Sequence, residues 1–251
     1  ASECIAAVLH KKNNEHFAKI ASDRSARPKL TGNLQSIMKS TRGTLDEYLS
    51  KKILRACGFP TVKEKMATSM AECKKAAAAL GYPLVMKGIM PSVTHKTEMG
   101  LVYKNIKAKD EAQKTYLHLT KKMRGKGFVL LQKHIQGYAE IILGMTRDNH
   151  FGPAVMLGVG GVMAEIFQQS IFGIAPLTRA EALELINRFP ARRLLEGFRG
   201  NLPVDKNKLA QLLVTLGDIS IAYPRIKEID INPLIFSSRG VTAVDATIIL
   251  D

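Results

Sequence analysis

The stretch "KEIDINPLIFSSRGVTAVDATIIL", residues 227–250, constrains the fold more tightly than any other part of the chain. Two alternating apolar runs flank "SSRG", residues 237–240, a four-residue hairpin loop. Side chains alternate along a strand, so Ile229 and Ile231 face one way and Glu228, Asp230 and Asn232 the other. Pairing Phe236 with Val241 sets a register in which Ile235 meets Thr242, Leu234 meets Ala243, and Asn232 meets Asp245. Directly opposed positions have Cβ atoms about 5 Å apart. Two oxygen-bearing side chains at that separation can share a magnesium ion, a hard cation that takes one or two carboxylates and completes its shell with water and phosphate. Pro233 gives the ladder no donor and admits a bulge, and a slip of one residue would send Asp245 to the opposite face. The same pattern also suits the solvated face of a half-buried hairpin. The polar face holds no lysine from Glu228 through Asn232, in a chain with 37 lysines and arginines, and this weighs toward binding.

Upstream, helical and strand patterns mix. Thr44 with Glu47, Ser69 with Glu72 and Thr178 with Glu181 have capping-box spacing. The first opens a helix whose apolar face is Leu45, Tyr48, Leu49, Ile53 and Ala56, stopped by Gly58 and Pro60. The second runs to Gly81 and the third to near Pro190. Asp110 caps a helix to about Met123, and Asp205 caps a long one over 206–222. Strand patterns fall at 61–65, 84–87, 100–106, 128–134, 140–145, 154–157, 162–167, 227–236 and 241–249. Several consecutive strands lack an intervening helix, which makes the class α+β. Residues 1–43 read as a basic N-terminal arm and linker, with a short helical pattern at 15–20 and the turn-rich "SARPKLTGN". The compact domain then spans 44–251.

The net charge of +15 favours anionic partners. The basic residues are scattered, and aromatics are 6% with no tryptophan, which argues against a stacking nucleic-acid surface. No apolar run reaches membrane-spanning length, and the first residues lack a signal-peptide pattern. The expectation is a cytoplasmic protein without a membrane partner. Three cysteines, Cys4, Cys57 and Cys73, have neither metal nor disulfide spacing.

Lys87 closes the apolar run "YPLVMK", where a fixed ammonium suits phosphate oxygens. The polar loop "PSVTHKTEMG" follows. His95 in it is a candidate nucleophile toward phosphorus, beside Thr94, Thr97 and Gly100 as donors. "FGPAVMLGVGG", residues 151–161, ends in glycines that permit close backbone approach, but it is neither a phosphate loop with lysine nor a dinucleotide fingerprint.

The segments "GYPLVMKG", "HKTEMG", "GYAEIILGMTRDNHFGPAVMLGVGGVMAEIF", "APLTRAEALELI", "LLEGFRGNLPVD" and "EIDINPLI" with "AVDA" follow one another from about Thr44 to the end. Together they resemble the ATP-grasp (beta) subunit or domain of ADP-forming acyl-CoA synthetases of the acetate–CoA ligase type. The resemblance implies an ATP-grasp fold, two α+β lobes (about 60–130 and 131–251) with ADP or ATP between them. It implies that Lys87 contacts phosphate, that Gln132, Lys133, His134 and Ile135 line the adenine pocket, and that Glu140 belongs to the nucleotide site. It implies magnesium on Asn232 and Asp245 with Asp230 close by, and a phosphate relay at His95. The implied reaction is acyl-CoA + ADP + phosphate ⇌ acid + CoA + ATP. An alpha subunit would carry the CoA site and the main phosphohistidine, in an α2β2-type hetero-oligomer. Leu101, Gly173 and Leu49 depart from the family's usual glycine, arginine and glutamate. A regulatory ATP-grasp-like domain without turnover and a basic nucleic-acid-binding module are the alternatives.

Overall fold

The computed structural model describes residues 28–90, 99–161, 169–197 and 202–251. Among them two antiparallel sheets form two lobes, each with its own core. The elements in chain order are α1 (Gly32–Ser40), β1 (Gly43–Thr44), α2 (Glu47–Ala56), β2 (Glu64–Ala67), α3 (Met70–Leu80), β3 (Leu84–Ile89), β4 (Val102–Ile106), α4 (Lys109–Lys122), β5 (Phe128–Lys133), β6 (Ala139–Asp148), β7 (Gly152–Val159), β8 (Ser170–Ile174), α5 (Arg179–Arg188), a 3-10 turn (Arg192–Leu195), α6 (Lys206–Ala222), β9 (Ile226–Ser237), β10 (Gly240–Ala243) and β11 (Thr247–Leu250).

The small lobe is a four-stranded sheet, ordered β2-β5-β3-β4 and covered by α3 and α4. Its core includes Leu84, Met86, Leu119, Val129 and Leu131. Leu101 fills this core: it is buried, and its carbonyl accepts from Gly88 N at 2.8 Å. Gly88 leaves the space that the leucine uses, since a Cβ there would lie 3.3 Å from Leu101 Cδ2.

The large lobe holds seven strands, ordered β1-β11-β9-β6-β7-β8, with β10 also on β9. β9 is its spine. One edge pairs with β6, and the other pairs first with β11 and then with β10. The hairpin register holds: Phe236 opposes Val241, Ile235 opposes Thr242 and Leu234 opposes Ala243. The expected single strand over 241–249 is two strands, interrupted at 244–246. The same offset resumes beyond the break, with Thr247 opposite Asp230 and Ile249 opposite Glu228. Asn232 N donates to Asp245 O at 3.2 Å, and Val244 N to Pro233 O at 3.1 Å, so the chain stays aligned across it.

Caps set most helix starts. Thr178 and Glu181 make a reciprocal box for α5, Ser69 accepts from Glu72 N for α3, and Asp205 accepts from Lys208 N for α6. Two expected caps differ. Thr44 lies in β1, paired with Ile249, and Asp46 caps α2 by accepting from Leu49 N at 2.8 Å. Ala108 is the N-cap of α4, while Asp110 sits in its first turn facing the helix dipole.

The boundaries expected from sequence also shift. Residues 28–43 pack onto the large lobe instead of forming a free arm. Leu30 and Met38 are buried in its core, with Leu34 and Ile37 against them. The Tyr223 hydroxyl donates to Pro28 O at 2.9 Å, and Arg225 caps the last carbonyls of α1, reaching Met38 O at 2.8 Å. A glycine at the first helical position and a turn-rich lead-in hid this helix, although Leu34, Ile37 and Met38 have helical spacing. The large lobe therefore has two chain segments: α1 to Phe59 joins it, and β5 belongs to the small lobe. β8 was not expected; it is a short edge strand carrying Gly173, which lies 3.3 Å (as a built Cβ) from Leu177. The expected strand at 162–167, the pattern at 15–20 and Cys4 lie outside the described residues. Cys57 and Cys73 are buried, and burial pushes both thiols up to about 11, where they stay protonated. Among the described residues no helix is long and apolar enough to cross a membrane.

Gly127 enters β5 at φ +87, and a Cβ there would fall 1.9 Å from Ile89 O; Gly125 has φ +70 with open space around it. A left-handed residue with a side chain costs about 1–2 kcal/mol. Gly125→Ala should lose about that much in urea denaturation. Gly127→Ala should lose clearly more, because backbone must also move; equal losses would show that Ile89 gives way freely.

Candidate functional site

The lobes meet at α2. Its inner face is Glu47, Ser50, Lys51, Ile53 and Leu54, all buried. The expected apolar face included Ala56, which is exposed, and Tyr48 and Leu49, which are only half-buried. The difference has one cause: charged residues that neutralise each other can occupy an inner face, and a search for apolar periodicity passes over them. Glu47 and Lys51 are a helical i,i+4 pair at 2.7 Å. That spacing was the available signal.

Four elements bring ions to this seam. β3 presents Lys87, whose Nζ donates to Glu47 Oε1 at 2.7 Å, Asp245 Oδ2 at 3.0 Å and Val244 O at 3.2 Å. Lys51 Nζ donates to the same Glu47 oxygen at 2.7 Å, to Gln132 Oε1 at 2.9 Å and to Val244 O at 3.2 Å. The side chain of Glu64 on β2 is fully buried, with Oε2 2.5 Å from Lys51 Nζ. Three hydrogens of Lys51 already have acceptors, and neither Glu64 oxygen receives a well-directed hydrogen bond. Charge attraction therefore holds Glu64, and burial pushes its carboxyl pKa upward against the pull of Lys51. Burial alone would lower the Lys87 pKa, but the carboxylates of Glu47 and Asp245 outweigh it and hold the ammonium above the ordinary lysine range.

Asp245 sits in the break between β10 and β11, aligned with Asn232 as the register requires. Ile229 and Ile231 are buried, while Glu228 and Asn232 are exposed and Asp230 is half-buried on the other face. Burial, with Asp245 and Glu228 nearby, raises the Asp230 carboxyl to about 6. This donor set is all oxygen, and its carboxylates crowd one another, which fits a hard divalent cation. Among the described residues no three His, Cys, Asp or Glu side chains form a metal cage. A cation here would rest on Asp245 and Asn232, with Asp230 behind them and other oxygens completing its shell.

The remaining candidates divide. Gln132 is buried and its side-chain oxygen accepts from Lys51, so it faces the ion cluster. Lys133 donates to the carbonyls of Tyr82 at 2.7 Å and Gly81 at 3.2 Å, and His134 N to Pro83 O at 3.1 Å. Ile135 is half-buried just beyond β5. Glu140 is exposed near the start of β6, and the glycine cluster crosses it: Gly160 N donates to Glu140 O at 3.0 Å. A Cβ on Gly160 would meet that carbonyl at 2.9 Å, and one on Gly161 would meet Glu140 Oε2 at 2.6 Å. The two glycines let the chain pass over this glutamate. His95 lies outside the described residues.

Removing one member of a buried ion pair costs about 3–5 kcal/mol, because the other stays charged without compensation. Lys51→Met should lose stability on that scale in chemical denaturation, and Lys51→Met with Glu64→Leu should regain most of it. Asp230 gives a pH signature. Its folded pKa, about 6, exceeds the ordinary 3.8, so the folded state binds the proton more tightly. Stability should therefore fall as pH rises from about 4 to about 6. Asp230→Asn should flatten that interval and raise the melting temperature at pH 7.5, by a change on the order of 1 kcal/mol or more. A slope unchanged by the substitution would remove Asp230 as its source.

Comparison with known proteins agrees with this fold. The family model described as an ATP-grasp domain matches residues 36–250. The beta subunit of acetate–CoA ligase [ADP-forming] I from Pyrococcus furiosus is 37% identical over 218 residues, 84% of this chain and 94% of that protein. The dinucleotide-forming acetyl-coenzyme A synthetase 1 of Ca. Korarchaeum cryptofilum, solved with coenzyme A, Ca-AMPCP and HgCl+, superposes with a TM-score of 0.82 at 33% identity, covering 87% of this chain and 98% of that one. The same enzyme solved with coenzyme A and Mg-AMPPCP, its phosphohistidine segment pointing towards the nucleotide binding site, gives a TM-score of 0.76 at 33% identity, with the same coverage. With two antiparallel lobes meeting at a lysine and a carboxylate hairpin, and with relatives of this identity matched over nearly their whole length, the chain belongs to the ATP-grasp family, in the branch formed by the beta subunits of ADP-forming acetate–CoA ligases.

Proposed function

We propose that this chain is the nucleotide-binding subunit of an ADP-forming acyl-CoA ligase and moves phosphate between ADP or ATP and a phosphohistidine. The observation that carries the reading is the meeting of Lys87 and Asp245, 3.0 Å apart, where the small lobe joins the large one. An ammonium and a carboxylate at one seam supply the two things that a nucleotide phosphate needs, a fixed cation and an oxygen ligand for its metal.

Phosphoryl transfer asks the protein for alignment and charge neutralisation more than for covalent chemistry. In the synthesis direction a terminal oxygen of ADP attacks the phosphorus of the phosphohistidine. The new O–P bond forms as the N–P bond breaks, and the imidazole leaves. Lys87 holds the phosphate oxygens, and the sheets on either side exclude water. Magnesium, on Asp245 and Asn232, supplies further charge neutralisation when bound. The phosphohistidine comes from an alpha subunit that also binds CoA, in an α2β2-type assembly. His95 is a relay group for the same phosphate.

Mg·ADP should raise the melting temperature, because a ligand that binds only the native state stabilises it by about 2.7 kcal/mol at a hundredfold excess over Kd. Asp245→Asn should lose the magnesium-dependent part of that shift and keep the part given by ADP alone. Addition of the alpha subunit should produce turnover that requires acid, CoA and nucleotide together. Absence of a shift with any purine nucleotide would defeat the reading.

A further inference from the structure

We propose that Glu47 is a positioning residue for the phosphate-binding lysine, and that it competes with Asp245 for Lys87 so that Asp245 can be released to the metal. The inference rests on the function proposed above. Lys87 has three ammonium hydrogens and three acceptors: Glu47, Asp245 and the Val244 carbonyl. A phosphate oxygen reaching Lys87 must therefore displace one of them.

The three differ in how they are held. The Glu47 carboxylate is fully buried and shares one oxygen between Lys87 and Lys51. Lys51 is itself tied to Gln132 on the small lobe and to Val244 O on the large one. The Val244 carbonyl belongs to the backbone and also serves both lysines. The Asp245 side chain is 26% exposed and makes the longer of the two ionic contacts, 3.0 Å against 2.7 Å. Asp245 is the exchangeable partner. Arrival of Mg·ADP replaces the Lys87–Asp245 contact with two contacts: Lys87 to phosphate and Asp245 to the cation. Throughout the exchange Glu47 keeps the ammonium neutralised and aimed into the seam.

Loss of the Glu47 charge leaves Asp245 as the carboxylate on Lys87. That pair tightens, and both of its members become harder to recruit. The metal and the phosphates should suffer, while the nucleoside, which needs neither, should not. A merely structural glutamate would weaken all ligands together or none.

The test uses the full chain, with Mg·ADP and adenosine as separate probes in calorimetry. Glu47→Gln, folded by circular dichroism, should bind Mg·ADP about tenfold or more weakly and adenosine as the parent does. The magnesium concentration that half-saturates ADP binding should rise, and Glu47→Asp, which keeps the charge, should recover part of the loss. Parallel losses for both probes, or an unchanged magnesium requirement, would overturn the assignment. If Glu47→Gln does not fold, Glu47→Asp is read by the same ratio, and failure of both to fold makes Glu47 structural and also overturns it. A parent protein that binds neither probe refutes the nucleotide reading itself, a result distinct from normal parent binding with an unaltered ratio in the variant.

Discussion

One carboxylate, that of Glu47, accepts from two ammonium groups at the junction of the lobes, and the molecule is organised around that contact. The two apolar cores share no residues. Polar contacts, a short backbone link and one aromatic pair join them: the network of Glu47, Lys51, Glu64, Lys87 and Gln132, the bridge between Thr61 and Ala243, and the edge-on packing of Tyr48 against Phe128. Burying so many charges is expensive unless each finds a counter-charge with good geometry. At this seam each cation has at least one carboxylate within 3 Å. Under the proposed function the arrangement keeps the seam polar where phosphate and metal would enter, and an apolar seam could not offer them a charge.

The same network explains which parts of the chain can be read from sequence. The C-terminal hairpin was legible because one offset governs it from Glu228 to Phe236, and because a strand that buries Ile229 and Ile231 cannot slip by one residue without burying Glu228 and Asp230. Asn232 and Asp245 fell into place with it. Lys87 was legible as a lysine in an apolar strand pattern, although β3 does not end there and continues, buried, to Ile89. The α2 face was not legible from hydrophobicity, since Glu47 and Lys51 are buried on it yet look like surface residues. Glu64 gave no local signal at all; its burial depends on a lysine on another element. Gln132 was placed by resemblance beside the nucleotide; the alternation of β5 also brings its amide to Lys51, a partner that no local pattern shows.

The N-terminal segment makes the complementary point. Its sequence is rich in turn-formers and basic residues, yet Arg225 and Tyr223, close to 200 positions away, fasten its carbonyls to the large lobe. Long-range acceptors decided its fate, and no local window contains them. Leu101 shows the reverse case: noted from sequence only as a departure from the glycine that the resemblance implies, it is a core residue matched to the missing side chain of Gly88.

The Val244 carbonyl accepts from lysines of both lobes, and Ala243 beside it exchanges backbone hydrogen bonds with Pro60 and Val62, where the chain crosses from one lobe to the other. A rotation of the small lobe with this cluster as fulcrum would move residues 60–62 and 243–245 least and the parts of α3 and α4 farthest from it most. The charges proposed to handle phosphate lie at the root of that lever, so wide swings at its tip would disturb their spacing very little.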